Sequence, residues 1–200
     1  KLSGPPPTLK GYKWYTKNRN NRKGGGVAIA IKENIQKYTK QIRDIETNEY
    51  ENIWIELSTK WREPIYIGTI YIYGPQEKEN NKEVERLYAQ LTTELIRLQN
   101  KGEIILAGDF NAKLNIKTDN ITQVQSRNGK YLQTLIENTQ LNTTSLTKDT
   151  PKWTRVNRKN PDEKSIIDYV LTTDRIQNNI TTLETDEAGN LRMKGKEETD

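Results

Sequence analysis

The sequence predicts an α/β protein built on a mixed sheet with helices on its outer faces. Three observations carry that prediction. Apolar segments of strand length outnumber helical patterns along the chain. The strongest helical pattern, 84–98, runs almost directly into the strand-like "EIILAG", 103–108, so helix and strand alternate there. The 200 residues show no internal repeat and no dividing linker, which suits one domain with a sizeable core.

Taken in order, "KLSGPPPTLKGY" opens the chain as a proline-punctuated lead-in without a helix or strand period. "GYKWYTKNRNNRKGGG" mixes Tyr12, Trp14 and Tyr15 with Lys13, Lys17, Arg19, Arg22 and Lys23 and is assigned no element. The glycines 24–26 fit either an anion-binding nest or a tight lead into a strand, and they lack the Walker lysine spacing. "VAIAI", 27–31, reads as a buried strand, "ENIWIEL", 51–57, as a half-buried one and "IYIGTIYIYG", 65–74, as a longer one.

Asn80, with Glu83 three residues on, resembles a helix N-cap signal, and Val84, Leu87, Tyr88, Leu91, Leu95 and Leu98 follow at helical spacing. After "EIILAG" a polar loop runs from 113 to 128. A short helix then places Leu132, Leu135 and Ile136 on one face. Further strands are expected at 141–146, 152–156 and 165–171. The charged tail from Thr181 has little pattern.

Composition narrows the chemistry. A net charge of +5 favours polyanionic partners such as nucleic acid. The absence of cysteine excludes disulfides and thiolate zinc sites. No apolar run approaches the roughly 18 residues of a membrane span, and no signal-peptide pattern opens the chain, so no membrane partner is expected. There is no histidine either, so any mechanism runs without an imidazole or draws one from outside these residues.

Four constellations carry candidate chemistry. In "GDFNA", Asp109 and Asn111 follow an apolar strand, where open α/β sheets deliver functional groups. Two apart in extended geometry, they point the same way. A carboxylate there can orient water or touch a metal, and a carboxamide can donate to a phosphoryl oxygen. The plainer alternative makes both turn formers. In "SIIDYVL", Asp168 interrupts an apolar strand, which requires a partner, water or a solvent-facing position. Tyr71 and Tyr73 in "TIYIYGP" are either phosphate-facing phenols or amphipathic core residues. In "PKWTRVNRKN", Trp153 beside Lys152, Arg155, Arg158 and Lys159 suits a nucleic-acid surface or a solvated hairpin tip.

In this order, "KGGGVAIAI", "GTIYIYGP", "ILAGDFNA", "PKWT" and "SIIDYVL" resemble successive blocks of the endonuclease/exonuclease/phosphatase family, over roughly residues 11 to 175. Within it the likeness is to the apurinic-endonuclease-like domains of non-LTR retrotransposons. The resemblance implies a DNase I-like, four-layer α/β sandwich of two packed mixed sheets flanked by helices. It implies phosphodiester hydrolysis with a divalent metal, Mg²⁺ or Mn²⁺, acting on DNA. Asp109 would position or activate the attacking water, Asn111 would help hold it and the phosphate, and Tyr71 would contact the scissile group. Asp168 would orient the family's histidine, and Ser165 would lie near the phosphate. Trp153, with Lys152 and Arg155, would face DNA, although Lys152 stands where the family often has threonine.

The departures lie at the ends. Upstream of Gly11 there is neither the family's asparagine-bearing strand nor the strand ending in its metal-binding glutamate. The family closes with Ser-Asp-His or a variant, so by the resemblance the final "EETD" would make Asp200 the closing catalytic aspartate and a metal ligand, with the histidine one residue beyond. Residues 1–200 are therefore expected to form a single domain truncated at both ends, lacking the first strands and the last; the alternative is a natural variant that lost the site. Little or no activity and marginal stability follow for the isolated chain. The leading reading is a DNA-nicking endonuclease domain of a retroelement-like protein, nuclear or cytoplasmic, with a reverse transcriptase domain in the same longer polypeptide. The rivals are a non-catalytic nucleic-acid-binding domain and a phosphodiesterase acting on RNA or lipid phosphoesters.

Overall fold

The structure, a computed structural model, describes residues 9–18, 26–43, 51–60, 62–73, 81–157 and 159–186. The expected N-cap Asn80, the glycines 24 and 25, Arg158, the opening prolines and Asp200 lie outside the described residues.

A first antiparallel pair joins β1 (Tyr12–Asn18) to β2 (Gly26–Lys32), in register from Tyr12↔Lys32 to Asn18↔Gly26. β1 was not anticipated. Its cations and aromatics give no clean period, so it is a strand by virtue of its partner. A single turn, α1 (Glu33–Gln36), leads to β3 (Thr39–Gln41) at the edge of the main sheet.

The main sheet has six strands in the order β3, β4 (Glu51–Thr59), β5 (Arg62–Tyr71), β6 (Glu103–Asp109), β12 (Asp168–Thr172) and β9 (Asn142–Thr143). β5 and β6 are parallel and the other pairs antiparallel, so the sheet is mixed as predicted. A parallel pair needs a long crossover. α2 (Asn81–Gln99), the predicted amphipathic helix, supplies it.

Strand alternation sorts the side chains between two faces. Trp54, Tyr66, Ile70, Ile104, Leu106, Tyr169 and Leu171 meet Leu87, Leu91 and Leu95 of α2 and Leu132 and Leu135 of α3 (Arg127–Thr139). Ile53 and Ile55 point the other way and pack on Val27, Tyr15 and Ile29 of the β1–β2 pair. Two sheets thus stack face to face with helices outside, as the sequence leads one to expect. At one point the fit is absolute: Trp54 lies across Gly68, and a Cβ there would come within 2.6–2.7 Å of the indole.

Elsewhere the strand predictions give way to shorter pieces. The small hairpin β7 (Ile116–Lys117) and β8 (Thr122–Gln123) forms inside the predicted loop. Predicted strand 141–146 pairs only at β9 before turning into α4 (Thr144–Thr147). Predicted strand 152–156 is reduced to β10 (Arg155–Val156), paired with β11 (Lys164–Ser165). Predicted strand 165–171 breaks at Ile166 and Ile167, both buried, because β11 pairs with β10 while β12 pairs with β6. α5 (Asp174–Asn179) was missed because it buries no residue and so shows no apolar stripe.

Candidate phosphoester-cleaving site

Register, rather than motif, builds the site. Tyr71 at the end of β5 pairs with Asp109 at the end of β6, and Asp109 pairs with Asp168 at the start of β12. Three adjacent strands, roughly 4.8 Å apart, therefore present a phenol and two carboxylates in one row on one face. Beyond the row the ladder continues through Ile72 N–H to the Asp109 carbonyl and Phe110 N–H to the Ile167 carbonyl, both 2.9 Å.

The segment after β6 is pinned from several sides. Gly108 is required where it stands, since a Cβ would overlap the Ile70 carbonyl. Phe110 and Ala112 are fully buried, and Tyr88 donates its hydroxyl to the Phe110 carbonyl at 2.7 Å. Between them Asn111 adopts φ +45°, in the left-handed region asparagine tolerates. Its backbone N–H donates to Asp109 Oδ1 at 2.8 Å, its carboxamide nitrogen donates to the Ile72 carbonyl at 2.7 Å, and Asn128 donates to its carbonyl at 3.1 Å. Asp109 and Asn111 do reach the same space, but by a turn and not by the extended geometry expected.

An open cleft of ≈650 Å³ lies over this row, lined by Tyr71, Asp109, Asn111, Thr154, Arg155, Ile167 and Asp168. Burial raises the Asp109 carboxyl to about 6, and the neighbouring Asp168 charge adds to the rise. The Asn111 N–H and the Arg155 guanidinium oppose it. Burial also raises the Asp168 carboxyl, against the hydrogen bond from Thr154. The Thr154 hydroxyl accepts the N–H groups of Ile167 and Asp168 at 3.1 and 3.3 Å, which fixes where β12 begins.

The structure therefore gathers Tyr71, Asp109, Asn111, Asp168 and Arg155 at one cleft. Three residues expected to contact substrate lie outside the lining of this cleft. Ser165 is 2% exposed and does not line the cleft; its carbonyl accepts the Thr154 N–H at 3.1 Å. Trp153 is half-buried against the main core, where apolar area gains more than it would in water. Lys152 lies 3.9 Å from Asp149 and borders a neighbouring, mainly apolar cavity. The hydroxyl in the cleft is instead Thr154, which the sequence reading did not single out. A threonine after a tryptophan carries no local signal, because its importance comes from a contact 14 residues away.

Asp109 and Asp168 offer oxygen donors of the kind a hard divalent cation takes, but Mg²⁺ needs a near-octahedral shell. Among the described residues no group of three acidic or imidazole side chains could complete a metal site. The residues present here do not by themselves fit the metal that the resemblance implies.

Residues 66–190 match the family model described as endonuclease-reverse transcriptase. No curated protein sequence matches the chain significantly. Among solved structures it is similar to the 3′ phosphatase NExo from Neisseria, bound to product DNA hairpin, with 13% identity, 84% of this chain and 69% of that one covered, and a TM-score of 0.58. It is similar to the APE2 catalytic domain of Xenopus laevis, with 15% identity, 86% and 69% coverage and a TM-score of 0.57. The human Nocturnin catalytic domain, with bound sulfate anion, gives 14% identity, 82% and 61% coverage and a TM-score of 0.51. At these identities the likeness is one of fold, and the chain spans 61% to 69% of the length of these structures.

Proposed function

The chain belongs to the endonuclease-reverse transcriptase family of endonuclease/exonuclease/phosphatase proteins, and from that membership we propose that it is a DNA-nicking endonuclease domain of a retroelement-like protein. The supporting observation is the row of Tyr71, Asp109 and Asp168 facing one cleft, with Asp109 raised to about 6. A carboxyl at that value is still mostly ionised at neutral pH and is a stronger base than an ordinary carboxylate.

In the reaction, a water oxygen attacks phosphorus in line, one bridging P–O bond breaks, and the leaving oxygen takes a proton from solvent. Asp109 takes the water's proton. Tyr71 donates to a non-bridging oxygen, and Arg155 offsets developing charge on the phosphate. Asn111, whose amide is held by Ile72, presents its remaining polar edge to water and phosphate. Without histidine in these 200 residues, a rate factor of roughly 10² to 10⁴ from a positioned proton donor is missing, so slow nicking is expected.

The test is nicking of supercoiled plasmid in Mg²⁺ or Mn²⁺ across pH 5 to 8. The expected rate rises with pH and levels off above about 6, and Asp109→Ala lowers it at least roughly 100-fold. Equal nicking by the variant would remove Asp109 from the mechanism. The rival reading is a nucleic-acid-binding domain without catalysis. Tight DNA binding with no nicking at any pH, both by this chain and by one extended at both ends, selects that rival.

A further inference from the structure

A second cleft, of ≈220 Å³, opens at the other end of the main sheet and on its opposite face. Lys40, Glu56 and Tyr66 form one cross-strand row on β3, β4 and β5. Tyr66 belongs to the core under α2, whereas Tyr71 packs towards the β1–β2 pair. The five residues from Glu51 to Glu56 separate the two rows by roughly 17 Å along β4.

Four cations converge on this cleft from separate segments: Lys40 of β3, Arg43 just beyond it, Arg97 in the last turn of α2, and Lys101 after it. Cations near a helix C-terminus are favoured by its dipole, which accounts for Arg97 and Lys101. It does not account for Lys40 and Arg43, which come from the sheet edge. Lys40, Arg43 and Lys101 form no ion pair among the described residues. Among the described lining residues the one carboxylate, Glu56, accepts the Ser58 hydroxyl at 2.6 Å. Like charges gathered in a recess raise the local potential, and a polyanion relieves that cost.

We propose that this cleft binds the phosphodiester backbone of nucleic acid, at a segment apart from the one held over Asp109. The assignment rests on the endonuclease reading for its choice of polyanion. Because the two clefts occupy opposite faces and ends of the sheet, the bound nucleic acid either wraps the β3–β4 edge or supplies a second segment.

The experiment measures binding of a 40-bp duplex in EDTA at several salt concentrations, with nicking measured separately. One variant carries Lys40→Ala, Arg43→Ala, Arg97→Ala and Lys101→Ala. A charge-matched control carries Lys32→Ala, Lys37→Ala, Lys117→Ala and Lys130→Ala. Each lost phosphate contact lowers the log K against log salt slope by about 0.9, so the first variant is expected to lose about 3 and the control under 1. Equal slope changes in the two would overturn the proposal. So would a variant that keeps its DNA slope but loses binding to phosphatidylglycerol vesicles. A reduced slope in a protein that never nicks keeps this site and removes the endonuclease reading. Nicking with an unchanged slope removes this site alone.

Discussion

Replacing Asp109 with asparagine should stabilise the fold while removing its chemistry. In the folded chain burial and the Asp168 charge disfavour the Asp109 carboxylate, raising its carboxyl from the ordinary 3.8 to about 6. That gap, at about 1.4 kcal/mol per pH unit, sets a ceiling of about 3 kcal/mol on the penalty at neutral pH. The cleft is open to water and solvent screens part of it, which leaves roughly 1–2 kcal/mol. The sign follows from linkage. Well below pH 3.8 the carboxyl is protonated in both folded and unfolded chains, and no penalty exists. As pH rises towards 6 the unfolded chain ionises first, so stability falls; above about 6 the full penalty is present. The substituted carboxamide would never ionise and would still accept the Asn111 N–H that Asp109 accepts at 2.8 Å. Urea melts of Asp109→Asn and the parent chain, run from pH 4 to 8, should coincide near pH 4. They should separate by roughly 1–2 kcal/mol at pH 7.5, a rise of about 2–8 °C in Tm. A variant less stable than its parent at pH 7.5, or a difference that ignores pH, would refute the electrostatic account of the site.

Two further outcomes probe the scaffold. Thr154→Val removes the hydroxyl that accepts the Ile167 and Asp168 N–H groups; urea midpoints should show a loss of about 1–3 kcal/mol. Thr154→Ser should recover most of it, and a valine variant as stable as the parent would contradict the anchoring role. Gly68→Ala places a Cβ 2.6 Å from the Trp54 ring, so overpacking should cost about 1–3 kcal/mol and lower the calorimetric Tm by roughly 2–12 °C. An unchanged Tm would mean that the indole moves aside freely.

Legibility in the sequence followed the range of the forces involved. α2 was plain because its apolar stripe is written in its own residues, as was the buried end of β6 leading into "GDFNA". β1 and α5 were invisible for the converse reason: one is a strand only because β2 pairs with it, and the other buries nothing. The string of basic and aromatic residues around Trp153 stayed ambiguous, because it suits both a nucleic-acid surface and a ring packed on the core, and the structure divides it, with Arg155 at the cleft and Trp153 half-buried. The orientation of Ser165 was equally unreadable, since β11 pairing turns it inward.

By itself the sequence determined the α/β class and the identity of the groups that could act, because period, turn chemistry and residue type are local properties; the order of its motifs carried the family resemblance. Only the tertiary structure decided that Tyr71, Asp109 and Asp168 stand in one row, that Thr154 and not Ser165 joins them, and that four cations meet at the far end of the sheet. Side chains alternate along a strand, so a slip of one residue in the pairing of β12 with β6 would send Asp168 to the helix-covered face. Register is fixed by contacts between strands some 60 residues apart, and no local pattern encodes it.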